Sequence, residues 1–167
     1  MGPDHIATEP SLFLPRLALS PGSEVYDFII SSPEESFSAK HVYLGQKDIR
    51  ELQLAKSAVA AGIQLLMQEM GISTRQIDAV YLAGALGNYI NPLSAMRIGL
   101  LPRVEPHIVT SLGNAASTGA SMALLSQRHW AQSLALAEQI QHVELSLHPD
   151  FYDTFIHHMD FPDVNTW

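Results

Sequence analysis

The sequence has no cysteine among its 167 residues. That absence excludes disulfides, thiolate metal sites, cysteine-held iron–sulfur clusters and cysteine nucleophiles within this stretch. A chain without disulfides fits a reducing compartment, so a cytoplasmic location is expected. Basic residues are scarce: 9 Lys and Arg stand against 17 Asp and Glu, giving a net charge of −8. An acidic surface repels phosphate backbones and anionic headgroups, which argues against nucleic-acid and membrane partners. No apolar run reaches the roughly 18 residues that a spanning helix needs. The opening MGPDHIATEP has neither a basic nor an apolar segment, so no secretory signal is expected. There is no G-x-S-x-G elbow, no Walker loop and no HExxH pair. The 8 histidines fall at no persuasive metal spacing. His157 and His158, for example, would point about 100° apart on a helix. Neither a catalytic residue nor a metal site is expected here.

What is present reads as one globular domain: 47% of residues are hydrophobic and 16% charged. Residues 1–22 carry Pro3, Pro10, Pro15 and Pro21 and are expected to form an extended arm or tail. Residues 23–167 form the domain proper. A hairpin is predicted from strands at 25–30 (VYDFII) and 41–44 (HVYL), joined through SSPEES. A long helix follows over 46–70. Its apolar positions Ile49, Leu52, Ala55, Val59, Ile63, Leu66 and Met70 recur three or four apart, and Gly71 supplies the stop. Strands are predicted at 79–83, 107–112 and 143–147. Helices are predicted from Asn91-Pro92 to about Gly99, over 115–139 and over 149–159. Such alternation implies an α/β fold in three layers, with a central mixed, partly parallel sheet whose strands are covered on both faces.

Three stretches could carry chemistry. In VYLAGALGNY a hydrophobic strand runs directly into Gly84, Ala85, Leu86 and Gly87. Ligands in open α/β sheets bind beyond the carboxyl ends of strands, and glycine there lets backbone approach them closely. A tight turn with no ligand is the purely structural reading. In LGNAASTGASMA, Gly113 and Asn114 sit between a strand and a helix start, where unpaired N–H groups attract anions. The small residues Gly119, Ala120 and Ala123 read better as close helix packing. In QKDIRELQLAK, Asp48, Leu52, Ala55 and Lys56 lie near one side of a helix with Glu51 adjoining it. A solvated face is the ordinary reading of such charges.

Taken in order and spacing, QKDIRELQLAK, VYLAGALGNYI, AMRIGLLP, GNAASTGASMALLS and VELSLHPDF resemble the C-terminal, ATP-binding domain of reductive activators of corrinoid proteins. The resemblance covers about residues 40–160 and, weakly, 14–40. It implies a ribonuclease-H-like lobe of the actin, sugar-kinase and chaperone superfamily. In that superfamily a nucleotide, ATP or ADP with magnesium, lies in a cleft between two lobes. By resemblance, Gly84, Ala85, Gly87 and Asn88 would lie against the adenosine or α-phosphate, with Ala83 standing where a glycine is common. Glu51 and Lys56, and more weakly Gln53, would reach the ribose and adenine. Gly113 and Asn114 open the helix that packs at the hinge between lobes. The resemblance implies three partners: the remaining lobe, a ferredoxin-like domain and a corrinoid protein. No D-x-G-T-type phosphate hairpin and no iron–sulfur ligand occurs in this chain. The whole protein is therefore expected to couple ATP hydrolysis to corrinoid reduction, and this stretch alone to be inactive. The alternative is a non-catalytic protein-interaction module that retains the same fold.

Overall fold

A computed structural model describes residues 14–20, 22 and 24–163. The side chains of Leu14, Ala85 and Leu86 lie outside that description, as do residues 1–13 of the expected arm. The fold is mixed α/β, with five strands and six α-helices among the described residues. The chain divides into two compact units, Met1–Ala55 and Lys56–Trp167.

The first unit is built on the expected hairpin. Strands β2 (Tyr26–Ser31) and β3 (Val42–Leu44) pair antiparallel, with Phe28 opposite Leu44 and Ile29 opposite Tyr43. The described end of the arm is extended and engaged. Leu14–Arg16 form one 3-10 turn, and β1 (Leu17–Leu19) adds antiparallel to the other edge of β2, placing Leu17 opposite Phe28. Arg16 fastens this edge by donating to the Ile30 carbonyl at 2.7 Å. Helix α1 (Gln46–Glu69) starts here, and the Asp48 carboxylate accepts from the Gly45 N–H at 2.8 Å. That bond satisfies one orphan donor and puts negative charge at the positive end of the helix dipole.

In the second unit, β4 (Val80–Ala83) and β5 (Val109–Gly113) pair parallel, with Val80 beside Val109, Tyr81 beside Thr110 and Leu82 beside Ser111. Between them lie α2 (Gly84–Tyr89) and α3 (Pro92–Arg97). Asn91 caps α3 as its sequence indicates, its side-chain oxygen accepting from the Ser94 N–H at 3.0 Å with Pro92 in the first turn. Helices α4 (Ala115–Leu125) and α5 (Gln127–Gln139) form a hairpin, and α6 (Phe151–His157) closes the described order. The core is small: Ala60, Ala61, Leu65, Ala95 and Met96, joined by buried Lys56 and Ser57.

Among the described residues the strands pair in two ladders, one of three antiparallel strands and one of two parallel strands. Three expectations are corrected. Residues 143–147 are not a strand: Leu145–Leu147 form a 3-10 turn whose start is held by the Glu144 carboxylate accepting from the Ser146 N–H. Their alternating V-E-L-S-L pattern finds no ladder partner. The predicted helix over 115–139 breaks at Ser126, which takes extended dihedrals and caps α5 through its hydroxyl. The parallel strands are also more open than alternation demands. Tyr81 is 63% and Leu112 48% exposed, and Thr110 between them is exposed as well. A two-stranded ladder gives little area for helices to cover.

The face that α1 buries differs too. Lys56, Ser57, Ala60, Ala61, Gly62 and Leu65 are buried, while Val59, Leu66 and Met70 from the predicted apolar stripe are exposed. The cause is a C-terminal strap of backbone. The Ser57 hydroxyl donates to the His158 carbonyl at 2.8 Å, and the Lys56 ammonium donates to the Asp160 carbonyl. Ser57 and the Lys56 ammonium hold that backbone close, so the face they share with Ala60, Ala61, Gly62 and Leu65 is the inner one.

Candidate functional site

The residues singled out in the two glycine stretches meet at one place, the carboxyl edge of the β4–β5 pair. Gly84 follows β4 directly with φ of 88°, a left-handed value that strains any residue with a Cβ. A Cβ built there touches no other atom within 4 Å, so the turn leaves open space where a ligand could come. Gly87 is different. It is buried, and a Cβ there would stand 2.8 Å from the Leu82 carbonyl carbon and 3.0 Å from its oxygen. Its smallness lets α2 fold back onto the strand it has just left.

From α2, Asn88 reaches across to the second strand. Its side-chain oxygen accepts from the Ser111 hydroxyl at 2.8 Å, and the position a Cβ would take on Gly113 lies 3.6 Å from the same oxygen. Gly113 also has positive φ, 64°. Asn114 is the N-cap of α4, its side-chain oxygen accepting from the Ser117 N–H at 3.1 Å. Gly84, Gly87, Asn88, Gly113 and Asn114 are thus gathered along one edge, over strands in register. Ser111 belongs with them. The sequence signal for it was its place two residues before Gly113, on the strand that leads into the turn. No charged side chain occurs in 83–90 or 109–118. What this edge offers a ligand is backbone N–H groups, carbonyls, amides and hydroxyls. That donor set fits a nucleoside and the dipolar attraction of an anion at a helix start, not a divalent cation.

The other expected residues are placed elsewhere. Lys56 is 1% exposed. Its ammonium holds the Asp160 carbonyl and lies 5.3 Å from the centroid of the Phe161 ring. Burial pushes its pKa below the ordinary lysine value, and Asp160 partly opposes that shift. A side chain so engaged is a structural anchor. Glu51 is exposed and borders a shallow recess of the first unit, with Asp27, Tyr43, Lys47 and Arg50 around it. Gln53 is half-buried and has a partner of its own. The strap's side chains had no sequence signal. His158 Nε2 donates to the Gln64 side-chain oxygen at 2.7 Å, and its pKa is lowered by burial and by the neighbouring His157 and Lys56 charges.

The large cavity of the second unit, about 1080 Å³, lies at the opposite, amino edge of the strands. Arg75, Asp78, Arg103 and Glu105 line it together, so its charge has no net sign that would favour phosphate. Among the described residues, no group of three or more His, Cys, Asp or Glu could hold a metal ion, and no helix is long and apolar enough to cross a membrane.

Comparison with known proteins bears on what this edge belongs to. The family model described as the C-terminal domain of RACo, the ASKHA domain, matches residues 8–167. The corrinoid activation enzyme RamQ of Eubacterium limosum is 36% identical over 148 residues, which is 89% of this chain and 25% of that protein. A [Co(II) methylated amine-specific corrinoid protein] reductase of Methanosarcina barkeri is 27% identical over 99 residues, 59% of this chain and 18% of the reductase. The solved structure of a reductive activator for corrinoid, iron–sulfur protein superposes with a TM-score of 0.78 at 29% identity, over 91% of this chain and 24% of that one. The chain therefore spans about a quarter of the length of RamQ and of that activator. The ASKHA domain is a ribonuclease-H-like fold, the class that the resemblance implied. Since the family match takes in nearly the whole chain, this protein belongs to the family of RACo C-terminal domains, the ASKHA domain.

Proposed function

We propose that this chain supplies one wall of an ATP cleft in a reductive activator of corrinoid proteins, and that it works only as part of a longer polypeptide. The observation that carries the reading is the meeting of Gly84, Gly87 and Asn88 with Gly113 and Asn114 at the carboxyl edge of parallel strands. In open α/β sheets that edge is where nucleotides bind. Gly84 brings bare backbone against the adenosine, and Ala85 follows it in the turn. The Asn88 amide, whose oxygen is held by Ser111, is left with its nitrogen to donate to the nucleoside. The start of α4 faces the phosphates with its dipole. Lys56, whose ammonium holds the Asp160 carbonyl, is not included.

The wall lacks charged groups, so magnesium and the transferred phosphate need acidic and basic residues from the rest of the protein. When bound, ATP supplies the free energy for driving a cobalt(II) corrinoid to cobalt(I). The electron would come from a ferredoxin-like domain outside this stretch. The names of the relatives, a corrinoid activation enzyme and a reductase of a Co(II) corrinoid protein, support that reading.

Two measurements test it. In the full-length protein, reduction of a cobalt(II) corrinoid protein, followed by the cobalt(I) absorbance, is expected to require ATP. The 167-residue chain alone is expected to hydrolyse no ATP above background. Corrinoid reduction at an equal rate without nucleotide, or magnesium-dependent hydrolysis by this chain, overturns the proposal.

A further inference from the structure

The cavity at the amino edge of β4 and β5 has an apolar floor and a charged mouth. Ile63 and Met67 of α1, Ile77 before β4, Met96 of α3, Leu101 and Ile108 make the floor. Met96 is buried and the other five are half-buried, so all six turn part of their surface to about 1080 Å³ of open space. Arg75, Asp78 and Glu105 stand exposed at the mouth. The chain itself leaves from the wall of this cavity. Pro162 lines it, and its ring is pressed onto Gly99, where a Cβ would stand 3.1 Å from the Pro162 Cγ. Two residues earlier, the Asp160 carbonyl is held by the Lys56 ammonium. The strap is therefore fixed at the rim, and the sequence goes on from there through Val164 and Trp167, which lie outside the described residues. Cavity, strap and these residues all belong to the second unit.

We propose that residues 164–167 turn back into this cavity and seat the Trp167 indole on its floor. Reach permits it. A chain extends at most about 3.3–3.6 Å per residue, so Trp167 stays within about 18 Å of Pro162, and a cavity of this volume is on the order of 10 Å across. Tethering favours it, because so short a loop costs little entropy to close and holds the segment at high effective concentration. The chemistry matches as well. An indole buries roughly 150–250 Å² of mostly apolar surface and has one N–H to satisfy. The floor meets the first need, the Asp78 and Glu105 carboxylates can meet the second, and Arg75 offers a cation to the ring face. A second copy is disfavoured because each chain carries a net charge of −8. The inference stands apart from the ATP cleft, which is assigned to the opposite edge of the strands.

The test is hydroxyl-radical footprinting of the full-length protein, read by peptide mass spectrometry at Trp167 and Met67, with rates taken relative to the same residues in urea. A seated indole should react at less than about a tenth of the unfolded rate, unchanged on dilution. Met67→Lys puts a charge on the floor and should raise the Trp167 rate severalfold. Met70→Lys, at a position of the same helix that is 71% exposed and outside the cavity, should not. Trp167→Ser should in turn raise the Met67 rate severalfold, and this arm decides the matter if Met67→Lys fails to fold. A Trp167 rate near that in urea overturns the proposal. Protection lost on dilution overturns it in favour of a second copy's segment. A Met67 rate unmoved by Trp167→Ser overturns it in favour of another occupant of the cavity.

Discussion

Replacing Gly84 by alanine separates a ligand wall from a structural turn. The new methyl meets no atom within 4 Å, so it costs nothing in steric overlap. It does force a residue with a Cβ to φ of 88°, and that strain is about 1–2 kcal/mol. For a chain of 167 residues each kcal/mol lowers the thermal midpoint by about 2–4 °C, so the loss should be roughly 2–8 °C. Gly71 is the matched control. It too has positive φ, 65°, and open space around its Cβ position, but it ends α1 and lies outside the carboxyl edge. Gly71→Ala should therefore cost the same stability by the same cause. The two variants should part in ATP affinity. If Gly84 backs the adenosine, its methyl occupies ligand space, and the dissociation constant should rise by about tenfold or more, which is about 1.4 kcal/mol. Gly71→Ala should leave it unchanged. Isothermal titration of ATP into both full-length variants, beside their thermal midpoints, gives the comparison. Equal midpoint losses with wild-type ATP affinity in both would refute the assignment and leave Gly84 a structural turn.

Gly87→Ala should behave in the opposite sense. Its methyl would press on the Leu82 backbone at 2.8 Å, so it should cost about 1–3 kcal/mol in stability, seen in denaturant unfolding even without nucleotide. Lys56→Met removes the donor to the Asp160 carbonyl while keeping the stem's volume. A net loss of about 1–3 kcal/mol is expected, together with faster hydrogen exchange in residues 158–162. Stability should also fall on acidification. The folded His158 imidazole titrates below its ordinary value, so the unfolded chain binds the proton more tightly. Its contribution is present in full above about pH 6.5 and is lost as pH falls through the lower folded pKa. His158→Gln should flatten the slope of unfolding free energy between about pH 7 and 5, and an unchanged slope would show that His158 is not its source.

Signals that depend on a residue's own backbone were legible in the sequence. Gly71, Gly84 and Gly113 stand at turn or stop positions in the sequence pattern, and all three take positive φ. Asn91 and Pro92 start a helix by local chemistry, and they do so here. The period of α1 placed the helix to within one residue of its end. What depended on a distant partner was not legible. The inner face of α1 is set by the carbonyls of His158 and Asp160, about a hundred residues later, and a carbonyl leaves no mark in the sequence that names its donor. Lys56 consequently reads like a ligand-contacting cation until its ammonium is seen holding backbone. Ser126 carries a cap signal, but the apolar residues on both sides of it read as one continuous helix.

The openness of β4 and β5 follows from the same distinction. Alternating helices and strands establish that crossovers exist and that parallel strands will be covered on both faces. They do not establish that the cover lies within the stretch being read. Val80, Leu82 and Val109 are half-buried on one face, whereas Tyr81, Thr110 and Leu112 share the open one. The same stretch leaves both arms of the α4–α5 hairpin without a buried residue. Both surfaces belong to the unit that also holds the gathered glycines, and both expose large apolar side chains, Tyr81 and Leu112 on the strands and Leu124, Leu125 and Trp130 on the hairpin. On the proposed reading, the polypeptide that covers those surfaces is the one that brings the charged half of the nucleotide cleft. Packing and catalytic competence would then be completed in the same step.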